Sequence, residues 1–195
     1  VRIISGTYKG KQLNIPKDLP VRPTTDYAKS GLFNILSHRF NLKKLSVVDL
    51  YAGTGSLSYE FISRGVASLI AVDSDPSCIR FIKQSFDQLK AGSQARAIQS
   101  DALKWLGNRP GKFDLIIADA PFVDTPAEEL SRLVIEGEML NKNGILIIEH
   151  ASKNPLDQIP GYVETRKYGN VSFSFFQNRI VPAIAPETET TEESE

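Results

Sequence analysis

The stretch Val47-Val48-Asp49-Leu50-Tyr51-Ala52-Gly53-Thr54-Gly55-Ser56 runs from a β-branched segment through two glycines into helical spacing at Leu57, Glu60, Phe61 and Arg64. A strand, a glycine turn and a helix start, in that order, predict a ligand loop. Glycines let the main chain approach a bound molecule, and the first helical N–H groups have no partner within the helix. Tyr51, Ala52, Gly53 and Gly55 are the backbone positions expected to face that ligand.

The glycines alone are a weak signal. Gly53-x-Gly55-x-x-Ser58 lacks the third glycine of a dinucleotide fingerprint, which disfavours a nicotinamide cofactor. Asp49, four residues before the first glycine, shifts the reading. A carboxylate at a strand end has little to offer a pyrophosphate and suits a cation, such as the amino group of S-adenosylmethionine (SAM). A tight turn with a capping aspartate is the bland alternative for this loop.

Downstream, strands and helices alternate. Leu69 to Val72 reads as a second strand ending at Asp73-Ser74-Asp75, with Pro76 as a first helical residue and Asp75 or Ser74 as its cap. Ile79, Ile82, Phe86 and Leu89 mark one face of that helix, and Cys78 near its start reads as an ordinary residue. Ala95 to Ile98 leads to Ser100-Asp101 and a short amphipathic piece, in which Trp105 is a packing residue. Phe113 to Ala118 leads to Asp119-Ala120-Pro121-Phe122. Thr125-Pro126 then opens a helix, and Ile145 to Ile148 is closed by Glu149-His150. Val163 to Tyr168 and Val171 to Gln177, joined by Gly169-Asn170, read as a terminal hairpin. The expected fold is α/β: a seven-stranded, mostly parallel Rossmann-like sheet of the SAM-methyltransferase kind.

Upstream, residues 1–16 read as a small hairpin, with Arg2-Ile3-Ile4 on one limb and Leu13 and Ile15 on the other. Tyr27 to about Arg39 is expected to be a helix, although Gly31 weakens it. The organisation expected is a basic extension over 1–44, a methyltransferase domain over 45–181 and an acidic, disordered tail over 182–195. The tail holds five glutamates and no lysine or arginine, so a formal net charge of zero hides a remainder at +5. Residues 1–44 alone carry nine basic side chains against Asp18 and Asp26. Such a front end points to a polyanion.

The 195 residues allow one substantial domain, and 41% hydrophobic content supplies its core. No apolar run exceeds four residues and no signal-peptide pattern opens the chain, so a cytoplasmic protein without a membrane span is expected. One cysteine and two histidines give neither an internal disulfide nor a metal cluster. A monomer is expected.

Ligands of open α/β sheets gather beyond the carboxyl ends of the strands. Asp49, Asp73, Asp101 and Asp119 are all predicted to reach that edge. Asp73, 18 residues past Gly55, is placed to accept from both ribose hydroxyls, with Ser74 beside it. Asp101 is placed to accept from an adenine amino group. Asp73 serves NAD as well as SAM and does not discriminate between them.

Asp119-Ala120-Pro121-Phe122 resembles the Asp/Asn-Pro-Pro-Tyr/Phe motif of methyltransferases acting on planar amines. The lone pair of such an amine is delocalised into its ring and attacks carbon poorly. The Asp119 carboxylate and the Ala120 carbonyl would hold its two N–H bonds and favour a pyramidal nitrogen, while Phe122 stacks on the base.

With Arg2-Ile3-Ile4-Ser5-Gly6, Arg22-Pro23-Thr24-Thr25-Asp26, Leu32-Phe33-Asn34, Ser63-Arg64-Gly65, Glu149-His150 and Tyr168-Gly169, these motifs resemble the RsmD family. Its members methylate a guanine exocyclic amine in 16S ribosomal RNA. The resemblance implies SAM at Asp49, Gly53, Gly55, Asp73 and Asp101 and the guanine at Asp119, Ala120, Pro121 and Phe122. It also implies RNA contact from the N-terminal extension, for which Arg2, Lys9, Lys11, Arg22, Thr24 and Thr25 are the candidates.

One departure is Ala120, where the family has proline. Losing the ring frees φ at a cost of about 0.4–1 kcal/mol, yet Pro121 still holds residue 120 extended. Reduced but real activity is expected. Three rival readings remain at this point: an RNA-binding assembly protein with little catalysis, a nucleotide-dependent oxidoreductase, and a methyltransferase acting on adenine N6 or protein glutamine.

Overall fold

The computed structural model describes residues 1–16, 19, 24–119 and 127–178. The opening stretch forms β1 (Ser46–Leu50) and α2 (Ser56–Ser63), with α1 (Asp26–Arg39) preceding them. Val47, Val48 and Leu50 are at most 1% exposed, because both faces of β1 are covered. Each such side chain contributes about 1.5–3 kcal/mol by leaving water.

The chain continues through β2 (Ser68–Asp73), α3 (Pro76–Gln88), β3 (Ala95–Gln99), α4 (Ala102–Gly107), β4 (Phe113–Ala118) and α5 (Ala127–Ile135). It ends with β5 (Leu140–Ala151), β6 (Tyr162–Tyr168) and β7 (Val171–Phe176). The seven strands are ordered β3-β2-β1-β4-β5-β7-β6. The first five are parallel, and β7 pairs antiparallel with both β5 and β6. The order reverses at β1, so β1 and its neighbour β4 flank the crevice where such sheets take ligands.

Two apolar clusters cover the two faces. One gathers Leu32, Phe33, Leu57, Phe61, Ile82, Phe86 and Phe173, and the other Leu50, Leu106, Ile116, Leu130, Val134 and Phe176. Ile3 and Leu13 belong to the first cluster. The amino-terminal hairpin is therefore seated in the core, held by a single antiparallel bridge, Arg2 to Gln12, and by Thr7 N donating to Ser63 O at 2.7 Å. Gly6 permits this approach: at its φ of +86°, a Cβ would lie 2.0 Å from Ser63 O.

Several local boundaries differ from the sequence reading, most of them by a residue, and the two at α1 and β5 have a physical cause. Helix α1 starts at Asp26, one residue early, because Thr25 is its cap and accepts from Ala28 N at 3.2 Å. Strand β5 begins at Leu140, five residues before Ile145. Asn141-Lys142-Asn143-Gly144 reads as a turn, and Asn143 does adopt φ +66°. Pairing with β4 nevertheless persists, from Phe113–Leu140 across an irregularity to Leu115–Ile145. Gly31 is explained by packing, since a Cβ there would fall 2.0 Å from the Tyr168 ring.

Candidate active site

Asp49 sits near the end of β1 and is 2% exposed. Its Oδ2 accepts from Ser58 Oγ, one turn into α2, at 2.6 Å. The loop between them closes on itself, with Gly55 N donating to Ala52 O at 2.7 Å and Ala52 N to Val72 O at 3.1 Å. Tyr51, Gly53 and Gly55 all have positive φ, which folds the turn tightly between strand and helix. No side chain caps α2, whose N-cap is Gly55.

Asp73 terminates β2, and its two carboxylate oxygens accept from the main chain. Gly53 N donates to Oδ2 at 2.7 Å and Asp75 N to Oδ1 at 2.8 Å. The carboxylate is thereby locked to the glycine loop. Asp75 caps α3, accepting from Ser77 N and Cys78 N, as the Pro76 signal predicts. Asp119 follows β4 and hangs from β1 through Asp119 N to Leu50 O at 3.3 Å.

A cavity of about 310 Å³ opens among these strand ends. Asp49, Tyr51, Ala52, Gly53, Asp73, Ser74 and Asp119 line it, so seven of the predicted positions converge. Thr24, Thr54, Ser56, Leu57, Asp75 and Cys78 complete the lining. Gly55 stands behind the surface, where a Cβ would meet Tyr59 Oη at 2.6 Å. Asp101 lies outside this lining. It caps α4, accepting from Lys104 N at 2.8 Å, and is exposed. Ala120, Pro121, Phe122 and Arg22 lie outside the described residues, as does the predicted acidic tail.

Burial of the acids at the cavity disfavours their charged forms. Burial pushes the Asp49 carboxyl up to about 7 against the pull of Ser58, with the Asp119 charge adding to the rise. Burial likewise brings Asp119 to about 6. A third carboxyl joins them. Glu149, at the carboxyl end of the core of β5, is 5% exposed and is pushed up to about 8, by burial first and then by Asp119. Thr24 Oγ1 donates to Glu149 Oε2 at 3.3 Å. The sequence reading had Glu149 as a strand terminus and as part of the Glu149-His150 family motif, with no role at the site. Its signal was available: a fifth acidic strand end on the same edge. His150 is placed otherwise, with Nε2 2.8 Å from Ser174 Oγ.

The basic candidates are partly engaged within the chain. Arg2 Nη2 lies 2.7 Å from Asp26 Oδ2, and Lys11 Nζ donates to Gln88 O at 2.7 Å. Lys9 is exposed at the hairpin tip. Thr25 caps α1, and Thr24 belongs to the cavity. Among the described residues there is no cluster suited to a metal ion, and no helix is long and apolar enough to cross a membrane.

A parallel five-strand core carrying an antiparallel hairpin, with a glycine turn and acidic strand ends at the switch point, defines the Rossmann-like fold of class I methyltransferases. The family described as "Conserved hypothetical protein 95" matches residues 1–177. The chain belongs to that family, the RsmD methyltransferases. The YlbH protein of Bacillus subtilis is 32% identical over 185 residues, covering 92% of this chain and 100% of its own. Ribosomal RNA small subunit methyltransferase D of Haemophilus influenzae is 30% identical over 184 residues, covering 91% and 94%. The solved structure of the yhhF protein of Escherichia coli, at 26% identity, superposes with a TM-score of 0.80 over 91% of this chain and 97% of that one.

Proposed function

We propose that the chain transfers a methyl group from SAM to the exocyclic N2 amine of a guanine in 16S ribosomal RNA of the small subunit. The observation that carries this reading is the convergence of Asp49, Asp73 and Asp119 on one cavity beside the glycine loop. Three carboxylates around a small cavity suit a ligand bearing an ammonium, a sulfonium and two ribose hydroxyls. The volume falls at the lower end of the usual range of about 300–1,000 Å³ for small-molecule sites. Ser56 Oγ is buried in the lining without a hydrogen-bond partner among the described residues, as a group awaiting a ligand would be.

In this reading Asp49 faces the cationic amino-acid end. Asp73 keeps a free lone pair on each oxygen for the ribose hydroxyls, since each already accepts one main-chain N–H. The chemistry SAM supplies when bound is a methyl group made electrophilic by its sulfonium. Asp119 accepts one N–H of the target amine, which orients the nitrogen and raises its lone-pair density. The proton becomes acidic only as the new N–C bond forms, so orientation matters more than basicity. Asp119 is nevertheless able to hold that proton near neutrality.

The RNA target rests on family membership, on the name of the Haemophilus influenzae relative and on the basic amino-terminal segment. The test is transfer of label from SAM into small-subunit particles from a strain lacking the gene, followed by mapping of the modified nucleotide. Label on guanine N2 of 16S RNA is the expected result. Label confined to adenine or protein would overturn it.

A further inference from the structure

Glu149 has no part in the reading above, yet it is the most deeply placed acid at the working edge of the sheet apart from Asp49. Strands β4 and β5 are parallel neighbours in which Ala118 pairs with Ile148. Asp119 and Glu149 are therefore the next residues along on adjacent strands. The groups around Glu149 come from four elements: Asp119 beyond β4, Asp49 on β1, Thr24 ahead of α1, and Phe173, its cross-strand partner on β7. His150, next in sequence, is bonded to Ser174. Among the described residues, no cation pairs with Glu149.

We propose that Glu149 is a positioning residue for methyl transfer: beside Asp119 and bonded to Thr24, it holds the proton of the carboxyl pair and fixes the Thr24 rim of the cavity. The proposal rests on the methyltransferase reading of the same site. A buried pair of acids shares its protons, and the two release them in separate steps. Here burial raises both carboxyls, and the Asp119 charge raises Glu149 further, so release from Asp119 comes first and from Glu149 later. Between those steps Asp119 is anionic and able to accept the amine, while Glu149 is neutral. Above the second step an extra negative charge stands behind Thr24 and Asp119, which line the cavity. That charge favours a bound cation over the transition state, in which the positive charge is being dispersed, so turnover slows.

The Thr24 bond sharpens the expectation. A hydroxyl donating to a carboxylate favours its ionised form, so Thr24 holds the Glu149 carboxyl lower than burial alone would. Deleting that hydroxyl moves the second step to higher pH, whereas a purely architectural role for Thr24 would leave it in place.

The experiment follows kcat at saturating SAM against pH, using full-length protein and small-subunit particles, because that parameter compares the bound cation with the transition state. Wild type is expected to give a bell with limbs near the two steps. Glu149→Gln, neutral at every pH, loses the alkaline limb and keeps the acid one. Thr24→Val moves the alkaline limb upward. Glu149→Ala lowers kcat at least tenfold, while SAM affinity measured by calorimetry stays within threefold. An alkaline limb that persists in Glu149→Gln, or stays in place in Thr24→Val, overturns the proposal. Should Glu149→Ala fail to fold, the Gln variant still decides. A wild-type protein that transfers no methyl group contradicts the enzymatic reading itself, a different outcome from active variants with unaltered profiles.

Discussion

Lys29 and Glu60 meet inside the protein, with Nζ 3.3 Å from Oε1 and neither side chain more than 1% exposed. Neither charge is left bare. Lys29 Nζ also donates to Arg2 O at 2.8 Å, and Glu60 accepts from Ile4 N at 2.8 Å and from Arg64. The pair binds the amino-terminal hairpin to α2, the helix that opens at the glycine loop. The basic segment and the glycine loop thus share one buried joint.

Breaking that joint leaves an uncompensated charge in the core. Glu60→Ala is expected to lose about 3–5 kcal/mol in urea denaturation, whereas Lys29→Met with Glu60→Leu loses far less. Equal losses in the single and double variants would show that the charges themselves are immaterial.

Asp49 sets stability against binding. A carboxyl ionises near 4 in an unfolded chain and near 7 in this site, so the folded state holds the extra proton. Stability of the ligand-free protein therefore falls as pH rises from about 4 to about 7, and the loss is complete above that window. Asp49→Asn is expected to be more stable than wild type at pH 8 by roughly 1–4 kcal/mol, and to bind SAM at least tenfold more weakly. Thermal melts and calorimetry check both halves. A less stable variant would mean that Asp49 carries no such burden.

Gly55 tests the loop. Alanine there must adopt φ +75° and place its Cβ 2.6 Å from Tyr59 Oη. A loss of about 2–4 kcal/mol is expected, from the left-handed backbone and the overlap together. Tyr59→Phe in the same chain removes the hydroxyl but leaves the ring carbon 2.7 Å away, so it is expected to restore only a small part of the stability.

If the hairpin grips RNA, as proposed, its share shows in the salt dependence of binding. Lys9, exposed and free for phosphate, is expected to contribute about 0.7–0.9 to the slope of log affinity against log salt. Lys9→Ala should lower the slope by that amount and weaken all RNA sequences alike. An unchanged slope would remove Lys9 from the contact.

The parts of this molecule that were legible in its sequence are those written in local code. The β-branched run and paired glycines at Val47–Ser56, the Asp75-Pro76 helix start and the strand carrying Val171, Phe173 and Phe175 all came through as read. Long-range partners were not legible. Lys29 sits on a helix whose periodicity gives no hint that its ammonium faces a buried glutamate. Thr24 and Thr25 are adjacent, yet one reaches Glu149 and the other caps its own helix, a division that only the fold makes. Strand β5 extends back to Leu140 because its neighbour β4 supplies the pairing that keeps Asn143-Gly144 in the sheet, which local sequence does not show.

The measurement that tests the central claim most directly is methyl transfer by Asp119→Ala, set beside its SAM affinity. If Asp119 orients the acceptor amine, label transfer into small-subunit particles falls at least a hundredfold while the SAM dissociation constant stays within about threefold. Product formation at the wild-type rate would contradict the account, because the carboxylate it places against the reacting nitrogen would then have no role.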